Sequence, residues 1–316
     1  MVTIWKRSVM MKDKEEIFLQ LQKFMAEHKE EYSSVDEAVE AFFSQNMKKN
    51  KNVIPTHFSS ENKTDHLFEK LPFASSESEY QMIIKEILKE EPNNLQALLM
   101  ALDENSPLFL KNLEKVLKDG EESLKKEGLM GKDSIGSYWL ILETRPFILA
   151  KYELVHAYEE RRMKRKAVEQ LEEILYLNER DNLGGRYDLM ALYCELEEKE
   201  KAISLYNRYE ESNALMLLPL IVLSLKLDDE LSAKRYYKTL QQSNKNCRKV
   251  FGKKEIDIEE WEQAMDDDQY SPGSVEEIYM AIDKLEDDFL LLTADDYYYN
   301  WLNQHLNKSK KIQKKK

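Results

Sequence analysis

The polar residues with the most regular setting lie in two short motifs. The first is Glu143-Thr144-Arg145-Pro146, four residues after Trp139. The second runs from Leu177-Asn178 through Asp181-Asn182-Leu183-Gly184-Gly185-Arg186-Tyr187. An arginine beside a helix-opening proline, and a second arginine a few residues past an acid, suit charge-assisted hydrogen bonding to carboxylates. Glu143, Arg145 and Asp181 are expected to knit neighbouring helices together, with Asp181 or Asn182 capping the helix that carries Arg186. The alternative is that Arg145 and Arg186 face outward and clasp a partner's carboxylate, as a peptide terminus would offer.

Catalytic and metal-binding patterns are missing from the chain. It has no G-x-x-x-x-G-K-[ST], no G-x-G-x-x-G and no H-E-x-x-H. Its five histidines (His28, His57, His66, His156, His305) are scattered, and His57 and His66 have no cysteine neighbours. Asp266-Asp267-Asp268 lacks the glycine and distal glutamate of a calcium loop. Cys194 and Cys247 are too far apart for a C-x-x-C pair and suit a reducing cytosol. The expectation is therefore no catalytic residues, no metal and no cofactor.

These residues must be held by helices. Eight glycines and seven prolines in 316 residues are too few for an all-β chain, since about 12% of an ordinary chain is Gly plus Pro and turns depend on both. Apolar residues recur at helical spacing along most of the sequence. The net charge is −13, and the six lysines of residues 308–316 leave the rest more acidic still. An acidic body repels phosphate backbones, so nucleic acid is not an expected partner. The longest apolar run, Ala214 to Leu225, falls short of the ~20 residues that span a bilayer and contains Pro219. It reads as a buried helix, and no membrane association is expected. The cytoplasm is the expected location.

The middle of the chain repeats. Leu154, Tyr158 and Ala167 recur as Leu189, Tyr193 and Ala202, all offset by 35, and Ala233 follows Ala202 by 31. A period near 34 with an internal helix–turn–helix is the tetratricopeptide (TPR) signature. Small Ala residues let paired helices approach, and stacking buries faces that one unit cannot bury alone. The expected fold is all-α, a TPR-like α-solenoid of stacked helix hairpins. It divides into an N-terminal helical segment (1–47), a flexible linker (48–75), the repeats (76–243), a C-terminal helical cap (244–305) and a basic disordered tail (306–316).

The first helix of each unit would build a concave wall. Its outward positions are Tyr152, His156 and Glu159, then Tyr187, Ala191, Cys194 and Glu195. A third unit would add Leu218, Val222 and Leu225, which the aromatic-rich residues 245–302 are expected to cover. Ser274 and Glu277 have the spacing of a capping box.

Trp139, the E-T-R-P segment, the 177–187 motif and Tyr270-Ser271-Pro272-Gly273-Ser274 occur in this order. Together they resemble a family of bacterial TPR proteins and the core of the suppressor-of-tumorigenicity-seven proteins. The resemblance covers roughly residues 76–302. It departs at Glu179-Arg180, where the family has Pro-Asn. It implies a TPR fold and no activity. The expected function is a non-catalytic adaptor or scaffold that takes a protein or peptide segment in the concave groove. A regulator that senses a peptide or small molecule is the alternative, and an enzyme ranks below both.

Overall fold

The computed structural model describes residues 64–266, 270–285 and 296–314. The described part is helical, with no strand among the described residues. The helices expected within residues 1–47 lie outside it. The chain divides into two compact units at Glu90/Glu91, where Pro92-Asn93-Asn94 breaks the helical pattern.

In the first unit, α1 (Asp65–Phe68) is followed by a 3₁₀ turn (Leu71–Phe73) and packs against α2 (Glu77–Glu90). Within the segment expected as linker, residues 65–68 and 71–73 thus form helical turns, and Leu67 and Leu71 are buried. The apolar spacing of these two residues outweighs the polar composition around them.

The second unit begins with α3 (Leu95–Met100) and α4 (Phe109–Lys126). Asn94 caps α3 by accepting from the Ala97 amide at 3.0 Å. Three hairpins follow: α5 (Arg145–Glu160) with α6 (Lys164–Leu177), α7 (Gly185–Glu195) with α8 (Lys199–Tyr209), and α9 (Ala214–Lys226) with α10 (Glu230–Ser243). Each helix packs on the next in the chain, and α7 also packs on α9. The repeat residues Leu154, Tyr158, Ala167, Leu189, Tyr193, Ala202 and Ala233 are all buried.

The three hairpin turns share one geometry. Arg162, Glu197 and Asp228 take left-handed φ values of 56°, 57° and 55°. The next amide in each turn reaches back to a carbonyl of the first helix. Met163 bonds Tyr158 at 2.8 Å, Glu198 bonds Tyr193 at 2.9 Å and Asp229 bonds Ser224 at 2.8 Å. This is the Schellman closure of a helix end, made three times without glycine. The spacings of 35 and 31 are those of the sequence repeat.

Helix α9 buries every residue from Ala214 to Leu225, as expected, and Pro219 lies inside it without ending it. Its cover includes α13 (Val275–Asp283), and the apolar positions Leu218, Val222 and Leu225 are buried. Helices α11 (Cys247–Phe251), α12 (Ile258–Asp266) and α14 (Tyr297–Lys314) complete the unit. Tyr237, Phe251 and Tyr299 meet edge to face, which ties α10, α11 and α14 together. Helix α14 continues to Lys314, into the basic segment that ends the sequence. No Gly or Pro stops the helix there, and lysine is a good helix former.

Among the described residues, no helix is long and apolar enough to cross a membrane.

Candidate functional site

The motif polar residues separate into two groups. In the first, the Arg145 Nε donates to the Trp139 carbonyl at 2.6 Å, and its guanidinium lies 5.4 Å from the Trp139 ring. Thr144 donates to Ile141 and Tyr138, which fixes the two 3₁₀ turns that precede α5. Glu143 is exposed.

The second group is built around Arg186. Asp181 is buried and caps α7, accepting from Gly185 at 2.8 Å and from Arg186 at 3.0 Å. Asn182, the other capping candidate, is exposed. Gly184 supplies a φ of 77° just before the helix. A Cβ on Gly185 would lie 3.3 Å from both Tyr152 and Leu171, so a bare backbone lets α7 come in close. The Arg186 guanidinium bonds Asp181 at 2.7 Å and both Glu211 oxygens at 3.1 and 3.2 Å. Tyr187 donates to Glu211 at 2.7 Å, and Asn213, which caps α9, donates to both Tyr187 and Glu211 at 3.0 Å. Arg186 therefore spends its fork inside the chain, pinning the start of α7 to the start of α9. Burial, outweighing the donors around it, raises the Asp181 carboxyl above its ordinary range.

Of the expected wall, Glu159, Ala191 and Glu195 do line a common cleft. It has a volume of 310 Å³ and lies between α5, α7 and the end of α13. Tyr152 and His156 stand beside these residues, with their rings edge to face at 5.2 Å. Tyr187 is instead part of the Arg186 network. Cys194 is fully buried at 0% exposure, which corrects its expected outward position. Helix α7 is buried on nearly every side, so the register that pointed Cys194 outward points it at a neighbouring helix.

The rest of the lining had not been singled out: Glu160, Arg162, Lys164, Asp188, Leu192, Asp283 and Lys284. Asp188 is the centre of this site. It accepts from the Tyr152 hydroxyl and pairs with Lys284, 96 residues further on. Lys164 pairs with Glu195 across the cleft mouth, and His156 Nδ1 lies 3.6 Å from Glu159. Asp188 follows directly after Tyr187, the repeat partner of Tyr152, which is the one signal that could have marked it. Lys284 lies beyond the repeats and carried none.

The electrostatics stabilise charge in place. Burial pushes the Asp188 carboxyl up, but the Lys284 ammonium and Tyr152 hydroxyl outweigh it and hold the carboxyl below its usual range. Burial and the Asp188 charge push the Tyr152 hydroxyl well up. Burial would lower Lys284, yet Asp188 raises it overall. His156 is likewise raised, because Glu159 and Asp188 outweigh its burial. At neutral pH Asp188 is thus ionised, Lys284 protonated and Tyr152 protonated. The arrangement suits the holding of charged groups better than proton transfer. Among the described residues, no group of three or more His, Cys, Asp or Glu has the geometry to hold a metal ion.

Comparison of the chain with protein-family models, with curated proteins and with solved structures finds no match.

Proposed function

We propose that the chain is a non-catalytic adaptor, a TPR-like solenoid with an N-terminal extension and a C-terminal cap, which holds a segment of another protein in the α5–α7–α13 cleft. One observation supports this reading: the cleft is lined by three of the seven residues expected in the wall, Glu159, Ala191 and Glu195. The three hairpins with identical turns support the TPR-like part, as does the resemblance of the motif segments. Two buried free thiols suit a cytoplasmic protein.

The lining sets the kind of segment. Five carboxylates (Glu159, Glu160, Asp188, Glu195, Asp283) face three cations (Arg162, Lys164, Lys284). A lysine- or arginine-bearing segment would be drawn to it. A small-molecule sensor is the weaker reading, because such pockets are mostly apolar and this one is mostly charged.

The test is photo-crosslinking in the native host, with the crosslinker at Glu160 and, as control, at exposed Ser204 on α8. A partner captured at residue 160 and not at 204, and lost from a folded Glu159→Lys/Glu160→Lys variant, supports the cleft. Equal capture at both positions, or capture untouched by charge reversal, overturns it.

A further inference from the structure

A second surface lies outside the cleft and carries the opposite charge. Tyr176 at the end of α6, Glu179 and Arg180 in the following loop, and Arg208 and Tyr209 at the end of α8 line an open depression of 630 Å³. Arg180 and Arg208 are exposed, and Tyr176 is 56% exposed. On a chain of net charge −13 this is a local cationic site.

Its arginines are braced. Arg208 donates to the Leu175 carbonyl at 3.1 Å and stands 5.3 Å from the Tyr209 ring. Arg180 sits between two anchored neighbours. The Glu179 amide bonds Gly136 at 3.0 Å, next to an isolated bridge between Ser137 and Asn178, and Asp181 is buried in the Arg186 network. The Glu179 side chain lies against Gly136, within 2.9 Å of where a Cβ would stand. Arg180 is thus held on a turn that costs little further ordering to use.

We infer that this depression binds an acidic, extended protein segment, with Arg180 and Arg208 clasping carboxylates and the Tyr176 and Tyr209 rings supporting the residues between them. Guanidinium forks match carboxylates in pairs, and Arg and Tyr are the residues that dominate binding at protein interfaces. A nucleic acid fits less well. Two exposed arginines neutralise few phosphates, and the acidic remainder of the chain repels a polyanion at long range.

The experiment uses the full chain and a fluorescein-labelled peptide of alternating glutamate and proline, followed by anisotropy at physiological salt. Arg180→Ala and Arg208→Ala should each weaken binding about tenfold, the worth of ~1.4 kcal/mol. Arg208→Lys should also weaken it, since charge without the fork is insufficient. The cleft variant Glu159→Gln/Glu160→Gln, which removes carboxylates without adding cations, should bind the peptide as the wild type does, so the two surfaces are tested separately. Absence of binding by the wild type, or equal binding by the double arginine variant, overturns the inference. So does displacement of the peptide by an equimolar single-stranded oligonucleotide, or by millimolar inorganic phosphate, since either would mark a general anion site. Unfolding midpoints of the variants equal to that of the wild type tie any loss to the surface itself.

Discussion

At the scale of single residues, Asp181 does the most. Its carboxylate accepts from two amides at the start of α7 and from the Arg186 guanidinium. Asp181→Ala removes a helix cap and one of the two carboxylates that hold the Arg186 guanidinium, and should cost about 2 kcal/mol in urea denaturation. Asp181→Asn keeps an acceptor for one amide and should cost less. Asp229 gives a pH signature. The Lys199 ammonium first, then the Ser232 amide, draws its carboxyl down to about 2 from an ordinary 3.8. The folded chain ionises this group more readily than the unfolded one. Its contribution is therefore complete above the ordinary value and is lost as the pH falls through about 2. An NMR titration should place its midpoint near 2, and Lys199→Ala should return it toward 3.8. A midpoint that does not move would show that Lys199 is not the cause. The roles of Asp181 and Arg186 were visible in sequence only as alternatives. Which acid would fill the arginine's fork depended on Glu211, and nothing in local spacing points from residue 186 to residue 211.

At the scale of elements, the repeat was legible because the residues that carry it are packing residues. Leu154, Tyr158 and Ala167 must face neighbours of fixed size, so their types recur. The loop between the paired helices was less legible. Helix ends of this kind usually place glycine at the left-handed position, whereas here Arg162, Glu197 and Asp228 occupy it. The turn conformation is imposed by the helices on either side and by the returning amide bonds. This predicts an asymmetry at Glu197, which is exposed. Glu197→Gly should leave the unfolding free energy within a few tenths of a kcal/mol or raise it. Glu197→Val places a β-branched residue at φ 57° and should cost about 1–2 kcal/mol. Equal effects of the two substitutions in chemical denaturation would show that the turn has relaxed to another conformation.

At the scale of the whole second unit, the cap and the repeats form one folding problem. Helix α9 is apolar on all sides, and twelve consecutive buried residues cannot be covered by its own hairpin partner. The sequence showed the need for cover and the aromatic supply in residues 245–302. It could not show that the same cap would also deliver Lys284 into the cleft, because that contact joins residues 96 apart. Glu277 is the pin. Its expected capping box is half made: Ser274 accepts from the Glu277 amide at 3.2 Å. The Glu277 carboxylate does not return to Ser274. It accepts instead from Gly273 at 2.7 Å, from the Ala214 amide at 2.8 Å and from Asn244 at 3.3 Å. One buried acid thus meets the amino ends of both α9 and α13, where helix dipoles favour negative charge. Glu277→Ala takes this acceptor from the Ala214 and Gly273 amides and should cost about 2–3 kcal/mol. Glu277→Gln retains one acceptor and should cost roughly half of that. The weakened join should also show locally. Hydrogen exchange at the Ala214 and Gly273 amides should speed up in Glu277→Ala ahead of exchange in α5 and α6. Uniform acceleration across all the hairpins would mean that the cap and the repeats unfold only together, and that Glu277 stabilises the unit without acting as a joint between its parts.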